Sequence, residues 1–156
     1  MPAKFSAGSF DVRIAARVRH GLNAAEVKRK TARMLWLLGW DKAALSLALV
    51  GDPEIKALHR DYCGDDTPTD VITFGQEGAP GPQAFWDDKP FLGDIAVSVD
   101  TARRQARAFG HSTKYEIYFY ICHGILHLIG FDDATPKQRG RMHRIQASIL
   151  KQIGLS

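Results

Sequence analysis

Two histidines four residues apart in an apolar run limit what this chain can build. The run is Ile121-Cys-His-Gly-Ile-Leu-His-Leu-Ile-Gly-Phe-Asp-Asp133, with His123 and His127 at i and i+4. On a helix that spacing stacks both imidazoles on one face, close enough to share a cation. Burying two imidazoles among Ile and Leu is costly unless each finds a partner. Gly130 can end the helix in a left-handed conformation, after which Asp132 or Asp133 can fold back. Two imidazoles and a carboxylate suit a catalytic zinc with an open position.

The spacing His-x-x-x-His-x-x-Gly-x-x-acceptor matches metzincin-like sites. Metalloproteases of that spacing place a glutamate base directly after the first histidine. Here that slot is Gly124, which cannot move a proton. Peptidase chemistry is therefore disfavoured, although a cation held here would still acidify water.

The chain has 156 residues, enough for one domain with a real core. Its net charge of +4 permits a polyanionic partner but does not demand one. The amino terminus lacks the apolar core of a secretory signal, and no run of about 18 apolar residues exists to span a membrane. Cys63 and Cys122 have neither zinc-ribbon nor redox spacing. A cytoplasmic protein with reduced thiols is expected.

Apolar patterning predicts a strand over 10–18, and Asn23 is a plausible N-cap for a helix to Leu38. A second strand is expected over 44–50, then a helix capped by Asp52 with Pro53 at its first position. Strands are expected over 69–74 and 91–99, separated by a long surface loop from Gly75 to Pro90. Asp100 should cap a helix to Phe109. Ser112 or Thr113 should open the histidine helix, and Thr135-Pro136 a final one carrying Met142, Ile145, Ile149 and Ile153 inward. The order predicts an α+β fold: a small mixed four-stranded sheet packed by about five helices, with the metal site on a central helix.

Three stretches carry a family likeness. His123-Gly-x-Leu-His-Leu-x-Gly-Phe-Asp132 is joined by Pro68-Thr-Asp-Val71 and Gly93-Asp-Ile95. Together they resemble the YbeY family of bacterial rRNA-maturation endoribonucleases, in unbroken order over about 45–153. The resemblance implies a zinc-dependent, single-strand-directed endoribonuclease. It implies roles in 16S rRNA 3′-end maturation and ribosome quality control, with rRNA and the small ribosomal subunit as partners. Carried over by position, the family's three zinc-binding histidines fall on His123, His127 and Asp133. Aspartate binds zinc through oxygen as well, but an anionic ligand makes the cation's water less acidic.

A second departure lies at Cys63, where the family usually has Arg after the loop tyrosine. A guanidinium grips phosphate bidentately and a thiol does not. Arg60 is the candidate substitute, against an ordinary surface ion pair with Asp61 or Asp65. Asp70 and Asp94 are candidates for orienting a ligand histidine, since metal histidines donate their second N–H to such acceptors. Asp70 and Arg60 are thus the candidate catalytic residues. Arg103, Arg104, Arg107, Arg139, Arg141 and Arg144 could track an RNA backbone, though each alone reads as solvated helix surface. The alternative function is a non-catalytic ribosome assembly factor whose metal is structural.

Overall fold

The computed structural model describes residues 4–75 and 84–155. A short 3-10 turn at Ala7–Ser9 leads into β1 (Phe10–Ala16), α1 (Ala24–Leu37) and β2 (Ala43–Val50). Next come α2 (Asp52–Cys63), β3 (Val71–Gly75), β4 (Ala84–Trp86) and β5 (Lys89–Ser98). The chain ends in α3 (Val99–Phe109), α4 (Thr113–Leu128) and α5 (Pro136–Gln152). The strand order is β1-β2-β5-β3, with β4 paired to β5 off that path. β1 and β5 run parallel to β2, while β3 and β4 run antiparallel to β5. Parallel neighbours need a crossover, and α1 supplies it between β1 and β2.

The sheet thus has five strands among the described residues, one more than the pattern predicts. β4 falls inside the segment read as loop, of which 76–83 lie outside the described residues. Asp87 and Asp88 have φ of 49° and 54°, so they form the tight turn of a β4–β5 hairpin. Asp-Asp is a weak hairpin signal beside Asn-Gly or Asp-Gly, which is why the pattern hides it.

α4 is apolar almost all the way round, as expected of a helix covered on several sides. Ile117, Tyr118, Ile121, Cys122, Ile125 and Leu126 are all buried. The helix packs on β3 and β5 and is flanked by α1, α3 and α5. Gly124 permits the closest part of that approach, because a Cβ there would lie 2.9 Å from two carbons of Ile95 on β5. Gly93 serves β5 in the same way: its φ is 146°, and a side chain would strike the Phe74 carbonyl oxygen. This accounts for the glycine of the Gly-Asp-Ile motif.

Helix starts follow the expected chemistry with two corrections. The Asn23 side chain caps α1 through the Glu26 N–H, Ser112 caps α4, and Thr135 forms a capping box with Gln138. Asp52, however, is not the cap of α2. It is the first helical residue, and its N–H donates to Asp100 Oδ2 at 2.8 Å. Asp100 in turn does not cap its own helix, because the Ser98 side chain accepts from the Thr101 N–H instead. The acid of α3 therefore satisfies the amino end of α2. Asp52 accepts from Ser98 Oγ at 2.8 Å, from Thr101 Oγ1 at 3.1 Å and from Arg104 at 2.6 Å.

The Arg104 hydrogen bond, helped by the two hydroxyls and opposed by burial, holds the Asp52 carboxyl below the usual aspartate value. A depressed folded value means stability that is present above the unfolded value, about 3.9, and lost as pH falls through the folded one. Asp52→Asn is expected to flatten the acid side of a melting-temperature series below about pH 4. An unchanged acid limb would show that the ion pair contributes nothing there.

Candidate metal centre

α4 delivers His123 and His127 to one face, their ring centroids 4.6 Å apart. The helix ends at Leu128, and Gly130, with φ of 110°, turns the chain. Asp133 returns from that turn. Its Oδ2 lies 3.4 Å from His123 Nε2 and 3.2 Å from His127 Nε2, while the two nitrogens are 3.1 Å apart. A cation about 2.0–2.1 Å from each of three tetrahedral donors sets them about 3.3 Å apart. The triangle has those edges, so the donor set fits a small divalent cation. Among the described residues it is the one His/Cys/Asp/Glu group compact enough to hold a metal.

Asp132 takes another part. Its Oδ1 accepts from the Asp133 N–H at 2.9 Å and steadies the turn. Arg139 donates to the Asp133 carbonyl at 3.2 Å, tying the turn to α5.

His123 is oriented by a residue that the pattern did not suggest. Gln146 on α5 is fully buried, and its amide nitrogen donates to the Phe119 carbonyl at 3.1 Å. That fixes the amide, leaving Oε1 to accept from His123 Nδ1 at 3.2 Å. With its proton on Nδ1, His123 turns an Nε2 lone pair towards His127 and Asp133. The available signal was a glutamine set among Met142, Ile145 and Ile149 on an apolar stripe.

The triangle opens into a cleft of about 360 Å³ lined also by His59, Cys63, Asp70 and Thr73. Asp70 reaches the cleft, but its carboxylate accepts from the Val71 N–H and the Thr69 hydroxyl and has no bond to either histidine. Asp94 is exposed on β5 and likewise has no hydrogen bond to His123 or His127. Arg60 is outside the lining and pairs with Asp61 at 3.1 Å. Cys63 is exposed at the mouth. Cys122 is buried, and burial pushes its thiol up to about 12, so it stays protonated and inert. Of the basic set, Arg104 is held by Asp52, and Arg103 donates to the Arg19 carbonyl.

The sequence matches the family profile described as endoribonuclease YbeY over residues 9–154. The chain belongs to the YbeY family. An endoribonuclease YbeY from Moorella thermoacetica is 46% identical over 118 residues, covering 73% of this chain and 75% of that protein. One from an Anaeromyxobacter species is 37% identical over 145 residues, covering 92% and 72%. A solved solution structure from Thermotoga maritima matches with a TM-score of 0.62 at 24% identity, covering 91% of this chain and 88% of that one. The last shows a shared fold. Membership in the YbeY family accounts for the ordered motifs around the triangle.

Proposed function

We propose that this chain is a zinc-dependent hydrolase that cuts single-stranded RNA, acting on 16S rRNA 3′ ends with the small ribosomal subunit in the cytoplasm. The observation that carries the reading is the His123–His127–Asp133 triangle at the floor of an open cleft, in a member of the YbeY family. These three side chains would hold one zinc ion, which when bound supplies positive charge for a phosphoryl oxygen and acidifies water. The remaining work falls to the chain. Gln146 holds His123 in the tautomer a ligand needs. Cys63 offers the cleft mouth no bidentate grip on phosphate, so backbone contacts would come from the exposed Arg107, Arg139, Arg141 and Arg144. Residues 1–156 would act as one domain.

Metal-stripped protein, tested on a single-stranded rRNA 3′ precursor and on its duplex, is the deciding experiment. Cleavage of the single strand that returns at one zinc per chain is the expected result. Zinc that stabilises the fold while both RNAs stay whole would overturn the enzyme reading and favour the assembly factor with a structural metal.

A further inference from the structure

Gly124 leaves the cleft without the base that histidine-zinc sites of this spacing usually carry, so a proton acceptor has to come from elsewhere. Six ionisable side chains other than Asp133 and the two α4 histidines bear on the question. Asp70 spends an oxygen on Val71 N–H and Thr69, Cys63 is a thiol, and Asp61 and Asp66 both pair with Arg60 outside the lining. His59 is different. It sits on the last turns of α2, lines the same cleft, and its Nδ1 lies 2.9 Å from the Thr67 carbonyl oxygen. A carbonyl can only accept, so Nδ1 carries the hydrogen and Nε2 carries a lone pair. Among the described residues, Nε2 has no partner. Thr67 thus does for His59 what Gln146 does for His123: it decides which nitrogen is free. The loop is itself pinned, with the Gly64 and Asp65 N–H groups donating to the Arg60 and His59 carbonyls.

We propose that His59 is a catalytic residue, its Nε2 taking the proton from the water that attacks the phosphodiester. As the new O–P bond forms, that proton passes to Nε2 and the bond from phosphorus to the leaving ribose oxygen breaks. The leaving oxygen takes a proton from solvent, and the imidazolium then returns its own to solvent. No other reactant is needed. The charged and titratable groups that line the cleft with His59 are Asp70 on the approach to β3, Cys63 on α2, His123 and His127 on α4, and Asp133 after it. The inference rests on the ribonuclease reading above.

His59→Asn is the informative variant, because an asparagine amide can still donate to the Thr67 carbonyl but offers no imidazole nitrogen. The expected result is a fall in kcat of about 10²–10⁴-fold with KM and zinc affinity unchanged, partly rescued by added imidazole. Nitrogen NMR of the metal-free protein should place the His59 hydrogen on Nδ1. Cleavage undiminished in His59→Asn, or a hydrogen found on Nε2, overturns the inference alone. Wild-type protein inert towards RNA overturns the ribonuclease reading and this inference with it.

Discussion

His127→Ala is expected to abolish both metal loading and RNA cleavage while leaving the fold in place. His127 Nε2 is the corner nearest to both other donors, at 3.1 and 3.2 Å. Losing an outer-shell partner typically costs 10–100-fold in affinity, and losing a ligand should cost more. The stability readout is independent of activity. Zinc at about 100 times its dissociation constant stabilises the binding fold by about 2.7 kcal/mol. For a chain of this size that is a rise of about 5–11 °C in melting temperature. The wild-type protein should show that rise and the variant should not. A variant that melts with the same zinc response would mean that the cation binds elsewhere.

Gly124→Glu should be the most damaging single change in the helix. It restores the glutamate of a metalloprotease site on paper, yet the position faces the sheet. The new Cβ would lie 2.9 Å from both Cγ2 and Cδ1 of Ile95, a buried side chain that would have to shift. The carboxylate would then be forced against the buried Ile95, where an unpaired charge is strongly disfavoured. The expected loss exceeds about 4 kcal/mol, a large share of the roughly 5–15 kcal/mol that holds a domain together. Gly124→Ala should lose only about 0–2 kcal/mol, because overpacking is partly offset by alanine's better helix propensity. Urea midpoints measure both, and a Gly124→Glu protein as stable as wild type would refute the packing account. The missing base is therefore a matter of helix-to-sheet distance.

What was legible in the sequence was local. The i,i+4 histidines, the Gly130 turn, the Asn23 and Thr135 caps and the apolar periods of α1 and α5 all act within a few residues, and each stands where the pattern puts it. What the sequence hid depends on contacts between distant residues. Asp100 caps α2 across 48 positions, and Gln146 reaches His123 across 23. No spacing rule links such pairs. The approach of His59 and Cys63 to the triangle depends in the same way on how α2 packs beside β3. The charge run on α3 looked like backbone-tracking surface, but two of its three arginines are bound within the protein.

The three donors differ in how they are supported. Two ride on the most deeply packed helix, whose neighbours leave them little choice of position. The third arrives on a short connection, tied back to α4 by the Gly130 and Phe131 N–H groups and to α5 through Arg139. A cation would therefore meet all three donors already gathered, two of them fixed by the core and the third by the turn that follows it.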